Sequence, residues 1–124
     1  MTRQVVAGDG WRLGWNPNAN DFCGLVAGES WAVELTEAEF KDFCRLVRQI
    51  HNTITAMAEQ LMDEESITCE QETERLWIEA DGFPHSYSLR FILLTGRGAE
   101  GSWPASIVPE LIAALSQNPF INFL

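Results

Sequence analysis

The chain has 124 residues, of which 46% are apolar, and a formal net charge of −10 with Lys41 as its only lysine. That is enough for one domain with its own core and too apolar for a disordered chain. No apolar run approaches the ~18 residues of a membrane helix, and so few basic residues are poor provision for neutralising phosphates.

Residues 1–10 lack the long apolar stretch of a secretory signal. Cys23, Cys44 and Cys69 are an odd number with no C-x-x-C spacing, so neither a disulfide framework nor a zinc site is expected. A reducing, cytoplasmic setting is the expectation.

Residues 3–7 and 11–16 read as strands. In the second, Trp11, Leu13 and Trp15 alternate with Arg12 and Gly14, the period of a half-buried strand. That places the two rings in a core beneath Phe40, Phe43 and Val47, with Arg12 on the opposite face. Asn16 to Asp21 is a loop by composition. A short apolar run, 22–27, and the alternation Trp31, Val33, Leu35 complete an antiparallel meander.

Thr36-Glu-Ala-Glu39 is a capping box. Behind it Phe40, Phe43, Cys44, Val47, Ile50, Ile54, Met57, Ala58 and Leu61 recur at three- and four-residue steps, which predicts a helix over 37–62. Lys41, Asp42 and Arg45 fall on its polar side.

Strands follow again. Ile67 and Cys69 alternate with Thr68, Glu70 and Glu72, and Leu76 and Ile78 with Arg75, Trp77 and Glu79. Asp81 to Pro84 reads as a turn. Tyr87, Leu89, Phe91 and Leu93 face one way in a strand over 85–94. Residues 96–101 read as a loop and 104–117 as a second helix, with the apolar tail from Phe120 to Leu124 expected to dock on this or another subunit. The order strands, helix, strands, helix predicts an α+β domain of antiparallel meanders, each followed by a helix. The expectation is a single domain over 1–124, in two pseudo-repeats of about 1–62 and 63–124.

Chemistry-bearing patterns are sparse. Gly96-Arg-Gly-Ala-Glu-Gly101 matches G-x-G-x-x-G, but too little chain follows it for the parallel strand and acid that a dinucleotide site needs. Cys44 and His51 share a helix face seven residues apart, roughly 10 Å along the axis, too far for a thiolate–imidazole pair. Asn16 to Ala27 lacks the closing glutamate of a calcium loop. Catalytic residues, cofactors and a metal site are therefore not expected.

From Asp63 to Gly82, eight acids face one base, Arg75. Among them Glu70, Glu72, Glu74 and Glu79, with Trp77 on the same face, form a candidate surface for a basic protein partner. If a nucleic acid binds, Arg12, Arg90 and Arg97 would have to contact it.

The phrases "GDGWRLGWNP", "GLVAGESWAVELTEAEFKDFCRL", "LMDEE", "FPHSYSLRFIL" and "GRGAEGSWP" resemble a small cyanobacterial family of uncharacterised proteins. Its members look like the Whirly and transcriptional-coactivator class of single-stranded-DNA-binding folds, in which a four-stranded antiparallel sheet precedes a helix, twice per chain in the Whirly version. The resemblance implies that fold and a tendency to oligomerise. It brings no catalytic residues, and the lysine-containing strand motif of Whirly proteins is missing here. A non-catalytic interaction module with a protein partner, free to form a homo-oligomer, is therefore the first expectation. Single-stranded nucleic-acid binding is the alternative.

Overall fold

The computed structural model describes residues 3–118. Strands β1 (Gln4–Gly8), β2 (Trp11–Trp15), β3 (Gly24–Ala27) and β4 (Ala32–Leu35) pair in chain order, all antiparallel, and helix α1 (Glu37–Ala58) follows. The plan then repeats with β5 (Ile67–Glu72), β6 (Leu76–Phe83), β7 (Ser86–Leu93) and β8 (Glu100–Trp103), again antiparallel in chain order, and helix α2 (Val108–Gln117). This is the α+β order that the sequence predicts. No described helix is long and apolar enough to cross a membrane. The tail from Phe120 to Leu124 lies outside the described residues.

The period-two reading of β2 holds. Trp11, Leu13 and Trp15 are buried, and Arg12 is exposed on the other face. The Trp15 ring stacks on Phe40 of α1, with centroids 5.5 Å apart. Gly24 of β3 lies beneath that pair, where a Cβ would come within 2.6 Å of the Phe40 ring. The second sheet turns Leu76, Ile78, Ala80, Tyr87, Leu89, Phe91 and Leu93 toward the same core. Helix α1 packs against both sheets, and α2 against α1 and β7.

The largest differences from the sequence reading lie at four boundaries. Helix α1 stops at Ala58, where the Gln60 amide reaches back only three residues, to the Met57 carbonyl. Strand β6 continues through Asp81 and Gly82 to Phe83, and the turn is Pro84–His85. Gly82 permits this with φ 146°, where a Cβ would lie 2.6 Å from the Ser86 carbonyl oxygen. Residues 100 and 101, read as the end of a loop, instead begin β8, which runs on to Trp103. Helix α2 starts at Val108, because Pro104 to Ile107 close a separate turn through the Ile107 amide.

The two sheets are joined by crossed indoles. Trp31, in the β3–β4 connection, donates its Nε1–H to the Ser102 carbonyl of β8 at 3.2 Å. Trp103, at the end of β8, donates to the Ala27 carbonyl of β3 at 2.9 Å. The rings lie 5.0 Å apart, and Trp103 also stacks on Phe91 and meets Phe43 of α1.

Two buried carboxylates then tie loops of the second sheet to the start of α1. The capping box forms as predicted: Thr36 accepts from the Glu39 amide, and Glu39 accepts from the Thr36 amide. The same Glu39 carboxylate accepts from Thr95 Oγ1 at 2.7 Å and pairs with the Arg97 guanidinium. Asp42, expected on the polar side, is buried. It accepts from Thr73 Oγ1 at 2.7 Å and pairs with Arg75 and Arg45. Burial pushes the Glu39 carboxyl up, but the hydrogen bonds from Thr95 and the Thr36 amide and the charge of Arg97 outweigh it and hold it below its ordinary value.

These contacts set two expectations. Trp103→Phe removes a hydrogen bond that joins the two sheets and leaves a void where a fully buried indole stood, so it should cost ~1–3 kcal/mol. The buried Trp11 Nε1–H has no hydrogen-bond partner among the described residues, so Trp11→Phe should stay within about 1 kcal/mol of the parent. Equal losses for the two in denaturant unfolding would contradict this account. Glu39 is held lower in the folded than in the unfolded chain, so its stabilisation is present above the unfolded carboxyl value and lost as pH falls through the folded one. Glu39→Gln should therefore lose ~1–3 kcal/mol at neutral pH, and thermal melts should show the gap to the parent closing as pH is lowered through the acid range.

Candidate functional site

The outer face of the second sheet collects the predicted partner-binding residues. Directly opposed residues share a face, so register assigns the rows. One row runs Glu70, Glu79, Arg90, Ser102, and the next runs Glu72, Trp77, Ile92, Glu100. Glu74 lies off the sheet in the β5–β6 connection, highly exposed, 3.4 Å from Arg75. Four of the five predicted residues thus form one patch, and the fifth sits at its end.

Trp77 is the centre of this patch. It is half-buried, and its Nε1–H donates to Glu70 Oε2 at 3.3 Å. The Arg90 guanidinium lies over its ring, 4.9 Å from the centroid, and 3.6 Å from Glu79 Oε1. Exposed pairs of this kind are worth ~0–1 kcal/mol each, so the patch adds little to stability. What it does is hold an indole in one orientation within a largely acidic frame.

The three arginines considered for nucleic acid are not brought together. Arg12 is on the outer face of the first sheet, where it lines a hollow of about 540 Å³ with Arg3, Val5, Phe22 and Glu34. Arg90 belongs to the acidic patch on the other sheet. Arg97 is drawn inward: it pairs with Glu39, donates to the Glu34 carbonyl at 2.7 Å and covers the Phe22 ring at 4.8 Å. Trp11 and Trp15 are in the core and present no stacking surface.

The glycine-rich loop is explained by Arg97. Gly96 and Gly98 flank it with φ of 90° and 67°, the left-handed region that favours glycine. Gly101 stands in antiparallel β8, where a Cβ would come within 2.4 Å of the Trp31 ring. A Rossmann turn places its third glycine against a helix, so this loop is a clip and not a phosphate cradle. No group of three or more metal-ligating His, Cys, Asp or Glu side chains occurs among the described residues.

Sequence reasoning missed one feature, an open groove of about 690 Å³ between α1, α2 and the β6–β7 turn. His51 Nδ1 lies 2.9 Å from the Tyr87 hydroxyl on its wall, with Thr55, His85, Val108 and Ile112 nearby. Burial, and then the neighbouring Cys69, push the Tyr87 phenol up to about 12, so it stays protonated at neutral pH. Burial pushes the Cys44 thiol well above its ordinary range, so Cys44 is not a ready thiolate. His85 faces outward, 3.5 Å from Asp63. The signal for the His51–Tyr87 pair was present: both sit on apolar faces, of α1 and β7, that had to meet.

Comparison with known proteins places this geometry. No curated protein matches the chain. A crystal structure of a protein of unknown function from Prochlorococcus sp. NATL2A, described as from the DUF155 family, superposes with a TM-score of 0.86. It is 31% identical, and the match covers 91% of this chain and 96% of that one. The family described as a domain of unknown function, DUF1818, matches residues 6–118. The chain therefore belongs to the DUF1818 family.

Proposed function

We propose that this protein is a non-catalytic interaction module that offers the outer face of its second sheet to a basic protein partner. The observation that carries the reading is Trp77, a half-buried indole held by Glu70 and Arg90, with Glu72, Glu79 and Glu100 around it. Aromatic residues dominate the energy of protein interfaces, and flanking charge selects the partner and speeds encounter. The patch contributes little to the fold, so its arrangement calls for another role. Affinity capture with cross-linking tests this. Proteins recovered by the parent should be lost with a Trp77→Ala/Glu79→Lys double variant that melts at the same temperature. Identical recoveries from both, or recovery of the chain alone, would refute it.

A second reading rests on topology. We propose that the ββββα unit, repeated with strands in chain order, is Whirly-like, as the sequence resemblance implies. Nucleic-acid binding does not follow from it. Binding to phosphates needs several converging cations, whereas Arg12 and Arg90 lie on different sheets and Arg97 is engaged by Glu39. Titration with single-stranded oligonucleotides at low salt is expected to leave the tryptophan fluorescence unchanged. Saturable quenching would reverse this judgement.

A further inference from the structure

Strand β1 ends the first sheet, and among the described residues only β2 pairs with it. The two-residue turn at Asp9–Gly10 makes Gly8 and Trp11 a hydrogen-bonded pair. Such pairs alternate along an antiparallel ladder, so Val6–Leu13 and Gln4–Trp15 are the others. Val5 and Ala7 therefore direct their backbone N–H and C=O groups away from the sheet, with Arg3 just before the strand and Asp9 at the start of the turn.

Edges of this kind are ordinarily blunted by lysine, proline, a bulge or a covering element. Residues 4–8 read Gln-Val-Val-Ala-Gly, without a charge or a proline, and their register with β2 is unbroken. All but Val6 are exposed, and Val5 is 45% exposed, one of few large apolar side chains so placed.

The charges lie just outside. Arg3 precedes the strand, Asp9 follows it, and neither makes an ion pair among the described residues. Outward bonding requires odd-numbered residues to face odd-numbered residues when β1 pairs antiparallel with its own copy. The twofold axis then falls on Val5, Val6 or Ala7. An axis on Val5 sets Arg3 against an alanine, and an axis on Ala7 sets Val5 against an aspartate. An axis on Val6 sets Arg3 against Asp9 of the partner subunit and Val5 against the partner subunit's Ala7, twice over.

We infer that the chain forms a symmetric dimer through antiparallel pairing of β1 with β1 about Val6, joining two four-stranded sheets into one of eight. The strand is self-complementary in charge, shape and hydrogen bonding in that single register. Overall charge favours the same edge, because most of the acidic excess lies between Asp63 and Gly82, whereas residues 3–12 hold Arg3 and Arg12 against Asp9 alone. The interface is on the other sheet from Trp77, so variants of the proposed partner face leave the dimer intact.

Sedimentation velocity of the full chain across a concentration series tests this. The parent is expected to pass from monomer to dimer. Val5→Pro removes an outward N–H that β2 does not use, which edge strands tolerate. It should give a monomer throughout, with an unchanged far-ultraviolet circular dichroism spectrum. Arg3→Asp and Asp9→Arg each place like charges opposite one another and should each weaken dimerisation about tenfold. Mixing the two variants sets a strand with acids at both ends against one with arginines at both ends. Opposite charges then meet at each end, which should restore a heterodimer near parental affinity, a result that damage to the hairpin cannot produce. A parent that stays monomeric, a dimer indifferent to Val5→Pro, or a mixture no tighter than its components would each overturn the inference.

Discussion

The crossed hydrogen bonds of Trp31 and Trp103 are the constraint on which the rest of the structure depends. Each indole leaves its own sheet and donates to a backbone carbonyl of the other. A buried indole N–H without a partner costs ~1–3 kcal/mol, so Trp103 must meet the Ala27 carbonyl of the other sheet. The alignment this imposes leaves no room for a side chain at residue 101, and Gly101 lies against the Trp31 ring. It also sets Phe91 and Trp103 beneath Phe43, so one helix can seal both sheets.

Helix α1 converts that alignment into a rigid frame. Its N-terminal turns carry Glu39 and Asp42 into the interior, and each is answered by a threonine and an arginine from a connection of the second sheet. A buried carboxylate is tolerated only when it is paired and hydrogen-bonded. Both loops are therefore held where α1 begins, which is also where β4 ends. Arg97 fastens three things at once: the helix cap through Glu39, the edge strand β4 through the Glu34 carbonyl, and the Phe22 loop through its ring. An arginine suits this work because its planar fork offers several donors in fixed directions.

Periodicity made much of this fold legible. The two-residue rhythm of Trp11, Leu13 and Trp15, the capping box at Thr36 and the stripe from Phe40 to Ile54 each depend on neighbours close in sequence, and each appears as read. Boundaries failed where a distant contact overrode local preference. Residues 100–103 hold no alternating apolar pattern, yet they pair with β7 because Trp103 must reach Ala27. Asp42 looked solvent-facing because its partners, Thr73 and Arg75, lie some thirty residues away. The site was legible to the same degree. Alternation brought Glu70, Glu72, Trp77 and Glu79 to one face, but only the register with β7 puts Arg90 over Trp77. The His51–Tyr87 groove needed the packing of α2 on α1, which no local pattern states.

The distribution of charge supports the proposed protein partner over a polyanion. Association with a polyanion is driven by releasing its counterions, one for each phosphate a cation neutralises. A sheet can do this only if its cations point one way and remain free. In this chain Arg97, Arg75 and Arg45 answer the buried acids of α1, and Arg90 lies between Glu79 and Trp77. Their guanidinium groups serve internal order. The acids that remain exposed, Glu72 and Glu74 among them, would repel a phosphate chain approaching the second sheet. What that face retains is an aromatic ring with a fixed tilt and a rim of negative charge. That combination fits the basic partner proposed for this face, and the same charges disfavour a polyanion.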